Sequence, residues 1–151
     1  MPILHLGVID QPYSVQRTKG RRKATASTKT TGDVAQWLED EYHIMEHFAE
    51  LHRDDITKSI DNAIAGSMET MMMGGPAELS LDSAVSEIAT MMKDMITNQE
   101  LDRLGFPGIP TQAALRGVNH RMAHPYARRP ARPSFRDTGL FQASMTAWFD
   151  K

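Results

Sequence analysis

The chain of 151 residues contains no cysteine. Disulfides, thiolate metal ligands and cysteine nucleophiles are therefore excluded, and any reinforcement of the fold has to come from packing or from assembly. Long apolar runs are missing too. No stretch approaches the roughly 20 apolar residues of a membrane-spanning helix, and the short segment from Met1 to Ile9 meets Asp10 where a secretory signal would continue. A soluble protein synthesised in the cytoplasm, without a membrane partner, is expected. Also absent are a Walker loop, a dinucleotide fingerprint, a Gly-x-Ser-x-Gly elbow and any Ser, His and Asp arrangement that suggests a triad. No catalytic residue is assigned, no cofactor is expected, and Gly74-Gly75 reads as a helix stop. The sequence points away from an enzyme.

Charge of one sign is missing locally. From Asp33 to Asp102 there are 16 acidic residues against three basic ones, Arg53, Lys58 and Lys93. Val15 to Thr31 carries six cations and no acid, and Arg116 to Arg136 carries six arginines and no acid. The net charge of −2 hides an acidic body between two basic stretches. Such a chain can pair arm to body, and neighbouring copies can do the same. Its length suits one domain with appended arms. Seven of its 11 methionines crowd between Met68 and Met95. Their flexible thioethers suit either subunit contacts or a loosely specified helical core.

Periodicity predicts a mainly α protein with minor β. Ile3 to Ile9 reads as a short strand or extended arm. Residues 14–32, rich in Thr, Ser, Lys and Arg, cannot offset the entropy of ordering from their own contacts, so a disordered or partner-ordered arm is expected. Asp33, with Gln36 three places on, opens the strongest helical pattern, which runs to about Met73 as one helix or two nearly collinear ones with a weak point at His52 to Asp55. Unbroken, it would be about 60 Å long. Gly74-Gly75-Pro76 ends it, and Ser80 is expected to cap a second helix whose apolar face is formed by residues such as Ala84, Ile88, Met92 and Met95. The two helices are expected to pack as an antiparallel hairpin. A turn at Gly105 to Pro110 follows, then a short helix from about Gln112 to Met122 capped by Thr111, then an extended Pro/Arg crossing from His124 to Pro133. The last stretch reads as a turn at Thr138-Gly139 and a short helix running into a terminal strand. This divides the chain into an extended basic arm (1–32), a helical hairpin body (33–104) and a Pro/Arg-rich segment with an aromatic C-terminal anchor (105–151).

Two motifs could carry chemistry. His43-Ile44-Met45-Glu46-His47 matches the H-x-x-E-H pattern in which His43 and His47 share a helical face and bind zinc beside a general-base Glu46. Catalytic zinc needs a third ligand, for which Glu69 or Glu78 are candidates without a signature of their own. The alternative is that all three are solvated residues opposite Ile44 and Phe48. The arm from Arg17 to Lys29 suits phosphate contacts, yet it lacks aromatics for base stacking. Docking on the acidic helices of a neighbouring copy is the competing use of Arg17, Arg21, Arg22 and Lys23.

The C-terminal segment Arg132-Pro133-Ser134-Phe135-Arg136-Asp137-Thr138-Gly139-Leu140-Phe141-Gln142-Ala143-Ser144 resembles the motif near the end of tailed-bacteriophage neck and tail-completion proteins. In that motif an Arg/Pro-rich segment leads to Asp-Thr-Gly, a leucine and a serine before a terminal strand. The resemblance covers roughly residues 105–150. It implies a structural virion subunit at the neck, tail terminator or a tail adaptor, forming a cyclic homo-oligomer and touching other virion proteins. The residues expected to serve those contacts are the arm cations above together with Arg128, Arg129, Arg132, Asp137, Gly139, Phe141 and Trp148. A nucleic-acid-binding accessory protein using residues 15–31 is the alternative, and a zinc hydrolase is a third reading.

Overall fold

The computed structural model describes residues 2–13, 29–118, 124, 126–136 and 139–150. The protein is mainly α with a small antiparallel sheet, in the order β1 (Leu4–Val8), α1 (Thr31–Tyr42), α2 (Ile44–Leu51), α3 (Arg53–Met72), α4 (Asp82–Thr97), α5 (Glu100–Leu104), α6 (Gln112–Arg116), α7 (Leu140–Ser144) and β2 (Met145–Phe149). The short helix running into a terminal strand is present as α7 and β2. The first strand does not stand free as an arm. It pairs antiparallel with β2, Leu4 opposite Phe149 and Val8 opposite Met145, so the two ends of the chain close on each other.

The long helical pattern is broken twice. His43 takes the left-handed conformation (φ 51, ψ 45) between α1 and α2, and His52 (φ −105, ψ 18) separates α2 from α3. The second break falls at the weak point read from the sequence, whereas the first is invisible to hydrophobic spacing. A left-handed residue costs roughly 1–2 kcal/mol. The turn at His43 sends Ile44 and Phe48 into the interior, where both are almost fully buried and join Ile88, Met92, Met95 and Met145 in one cluster. Full burial of a side chain of this size is worth about 1.5–3 kcal/mol, so two such burials outweigh the bend.

The caps also differ from expectation. Asp33 is not the N-cap of α1 but its third residue. Thr30 is the cap, its hydroxyl accepting from the Asp33 N–H at 3.3 Å while the Asp33 carboxylate accepts from the Thr30 N–H at 3.0 Å. Gln36 instead donates to Asp40 at 2.9 Å. For α4 the cap position is Leu81, without a side-chain bond. Ser80 serves another purpose, its N–H donating to the Ser67 hydroxyl on α3 at 3.1 Å. That bond joins the two limbs of the hairpin beside the loop, and at the other end Asp55 of α3 lies across a groove from Met91 of α4, so the limbs run antiparallel. The buried residues of α3 are Ser59, Ala63 and Ser67, small enough to let α4 approach closely. Thr111 caps α6 as expected, accepting from the Ala114 N–H at 3.2 Å. That helix ends at Arg116, because Gly117 turns left-handed (φ 63) where a Cβ would meet the Arg129 Cβ and the Pro130 carbonyl at 2.8 Å.

The ends of the basic stretch 14–28 are joined by the body itself. Tyr13 N–H donates to the Lys29 carbonyl at 3.3 Å, Pro12 bridges Thr30, and the fully buried Thr31 hydroxyl donates to the Ile9 carbonyl at 2.7 Å while accepting from the Gln11 N–H at 2.8 Å. Residues 13 and 29 thus lie at adjacent points of the fold. Asp10 strengthens the same junction. The Thr30 side chain and the Gly32 N–H, the latter at 2.9 Å, hold its carboxyl below the ordinary carboxylate range.

Thr31→Val keeps the shape but removes two part-buried hydrogen bonds, to the Ile9 carbonyl and from the Gln11 N–H, a loss of about 1 kcal/mol that urea unfolding measures. Asp10 gives a pH-dependent companion. Since its folded carboxyl titrates below the ordinary 3.8, the stability it adds is fully present above that value and vanishes as pH falls through the lowered one. The Tm difference between the wild type and Asp10→Asn is expected to be constant near neutrality and to close in acid.

Candidate functional site

Around the first helix break, His43 is both the C-cap of α1 and the N-cap of α2. Its Nδ1 lies 3.1 Å from the Glu46 carboxylate, one turn on. His47 turns away to stack on Phe106, ring centroids 3.7 Å apart, and its buried Nδ1 has no hydrogen-bond partner among the described residues. The two histidines face each other edge-on at 6.5 Å. The H-x-x-E-H reading needs both on one regular helical face, and the left-handed His43 removes that condition. The donor atoms that do converge, within 4.8 Å of one another, belong to Glu39, His43 and Glu46. Glu39 was missed by sequence reasoning, although its place one helical turn before His43 was the available signal. Both its oxygens are already engaged, one accepting from the Met45 N–H at 2.7 Å and the other from the Glu46 N–H at 3.1 Å. A carboxylate on the open N–H groups of α2, at the positive end of the helix dipole, is a cap. Glu69 and Glu78, the sequence candidates for a third ligand, are exposed residues near the hairpin loop, outside this cluster.

The second break is pinned by a separate pair. His52, stacked on Phe48 at 5.0 Å, places Nε2 at 2.7 Å from Glu100 of α5 and Nδ1 at 3.5 Å from Asp55. Together with Glu39 it accounts for the direction of all three helices.

The C-terminal segment is divided between internal and external roles. Arg132 donates to the Val118 carbonyl at 3.1 Å and the Arg136 carbonyl at 2.8 Å, and its own N–H reaches the Ala114 carbonyl at 3.1 Å. Buried Ser134 receives the Thr111 N–H at 3.1 Å and donates its own N–H to Asp102 at 3.1 Å. Arg129 donates to the His124 carbonyl at 2.9 Å, while Arg128 is exposed. Gly139 adopts φ 82 to start α7, whose Phe141 is buried. Trp148 is 44% exposed, stacked on His5 across the strands, and covers Gly7, where a Cβ would lie 2.8 Å from the indole. Arg132, Gly139 and Phe141 therefore build the fold, and Arg128 and Trp148 face outward. Arg17, Arg21, Arg22, Lys23 and Asp137 lie outside the described residues.

An aromatic pocket of about 260 Å³ opens where α1, α6 and this segment meet, walled by Tyr13, Trp37, Tyr42, Phe135 and Phe141 with Arg132 beside them. Tyr42 packs edge-on between Trp37 at 6.0 Å and Phe135 at 5.2 Å. Trp37, whose helical spacing with Leu38 and Ile44 gives no sign of it, is 58% exposed at the mouth. At the hairpin loop, Met72 and Met73 are 87% and 84% exposed, with Met68 and Leu79 more than half exposed beside them.

The chain matches no protein-family model, no curated protein and no solved structure.

If Glu39 acts as a cap, Glu39→Ala lowers stability by about 1 kcal/mol, and His43→Gly is neutral or stabilising because glycine accepts the left-handed conformation without strain. Urea unfolding of both variants, with and without added zinc, separates this from a metal role. A zinc site predicts that His43→Gly loses a zinc-dependent stabilisation.

Proposed function

We propose that the protein is a structural subunit of a tailed-phage particle, at the neck, tail terminator or a tail adaptor, which assembles into a ring. The observation that carries this reading is the set of large apolar side chains left in water at separate places. These include Met72 and Met73 at the hairpin loop, Trp37 at the pocket mouth, and Trp148 with Ile3 on and beside the sheet. Scattered single exposures are ordinary, whereas clustered methionine and aromatic residues suit interfaces. Head-to-tail rings need two different patches per subunit, and this chain offers apolar patches of different chemistry along with charge sorted by stretch.

The C-terminal resemblance supplies the particle class. Its Arg/Pro segment, its Gly139 turn and the helix-to-strand ending form one continuous path from Ser134 to Phe149, interrupted only at residues 137–138, which lie outside the described residues. Synthesis in the host cytoplasm and incorporation into the virion follow from that class. The acidic hairpin and the basic stretches add attraction between copies that salt weakens.

Mass photometry of the purified protein is expected to show a discrete closed oligomer whose population falls with added salt. A strict monomer that also fails to associate with other virion proteins overturns the reading.

A further inference from the structure

We propose that the methionine tip of the hairpin, Met72 and Met73, seats in the aromatic pocket of a second copy of this chain. The inference rests on the ring reading and names the contact that makes the ring. Residues 59–92 contain five acids and neither lysine nor arginine, so the tip is apolar within a wholly acidic limb. Residues 103–136, which supply Ala113, Arg132 and Phe135 to the pocket, contain seven arginines and no acid. Exposed Arg116 and Arg136 flank those lining residues in the chain. The opposite wall, α1, carries Asp33, Asp40 and Glu41. An acidic limb entering the pocket is therefore drawn toward one wall and repelled by the other, which gives the contact an orientation as well as an attraction.

Size and chemistry agree with the charges. A dry cavity of roughly 150 Å³ takes a benzene ring, so the 260 Å³ here admits a methionine side chain and part of the next. Thioether sulfur packs favourably against aromatic rings, and the unbranched side chain adapts to an irregular hole. The tip cannot fill the pocket of its own subunit, because both methionines stand in solvent at the far end of α3, about 30 Å from the His52 junction by helix rise. Tip and pocket are different surfaces. Their union is therefore heterologous, and it closes into a ring or continues as a filament.

The test mixes two variants of the full chain. In Met72→Glu/Met73→Glu the tip is spoiled and the pocket intact, and in Trp37→Ala the reverse holds. All three side chains are mostly exposed, so both variants are expected to keep the wild-type circular dichroism spectrum and melt. By mass photometry each variant alone is expected to be monomeric at concentrations where the wild type is assembled, and the mixture to form dimers and nothing larger, since one intact tip and one intact pocket remain. A wild type that assembles while both variants assemble equally well overturns this contact but leaves the ring reading standing. Assembly by Trp37→Ala alone indicates tip-to-tip pairing and also overturns it. Tip-dependent association that stops at open filaments supports the contact and overturns the ring. A wild type that is monomeric throughout overturns both.

Discussion

The structure depends on the burial of one face of α4. Ile88, Met92, Met95 and Ile96 are nearly inaccessible, covered by Met145 and Ala147 of β2 in a cluster that also includes Ile44 and Phe48 of α2. The cover from β2 does not exist without a distant part of the chain. The strand β2 is only five residues long and is held by β1 from the opposite terminus, because a short strand without a partner leaves its backbone groups unsatisfied. The helix α2 brings Ile44 and Phe48 into that cluster where the chain turns at His43. The core is thus assembled from the first residues, the middle and the last, and its formation orders the termini.

The two histidine junctions are the means by which a continuous helical pattern is folded around α4. Each is fixed by a carboxylate from elsewhere, Glu39 reaching forward from α1 to the first turn of α2 and Glu100 reaching from α5 to His52. This explains why a residue set resembling a zinc motif is found where a helix is interrupted. Histidine is among the few residues enriched at positive φ, and glutamate beside an open helix N-terminus is a natural acceptor. The same chemistry that a metal would use is used here to turn the chain. The limb beyond His52 has a different character: Ile56 and Ile60 pack on the core near its start, small Ser59, Ala63 and Ser67 are its buried residues, and Met68 and Met72 toward its end are left exposed. Such an arrangement is consistent with an element whose apolar end is covered by another subunit.

Much of this architecture was legible in the sequence, and the parts that were not have physical causes. The apolar face of α4, the stop at Gly74-Gly75-Pro76, the Thr111 cap and the final helix-to-strand passage depend on neighbours within a few residues, and periodicity and turn chemistry carry them. The Thr30 cap and the destination of Trp37 depend on partners brought close by the tertiary fold, and the His43 turn on the burial of Ile44 and Phe48 in a cluster that distant elements complete. Thr30 is committed by Asp10 and by the junction at Thr31, whose partners lie about twenty residues away along the chain. Trp37 carries a helical spacing that looks internal, yet it forms the rim of a pocket completed by residues from 111 to 141. The arginines of the C-terminal segment read as an outward docking strip. Arg132 instead serves backbone carbonyls, because a segment interrupted by three prolines leaves acceptors that no helix or sheet satisfies.

Because the chain has no cysteine of its own, the central claim is open to a direct measurement. The substitutions Met73→Cys on the tip and Ala113→Cys on the exposed pocket wall supply the only thiols in the protein, so a short bis-maleimide linker can join only those two positions. Head-to-tail docking predicts that the double variant yields a ladder of covalent multimers, resolved on a denaturing gel and ending at the ring size, with linkages between positions 73 and 113 identified by mass spectrometry. A product consisting of dimers joined through position 73 on both chains, or no multimer beyond those of the single variants, would contradict it.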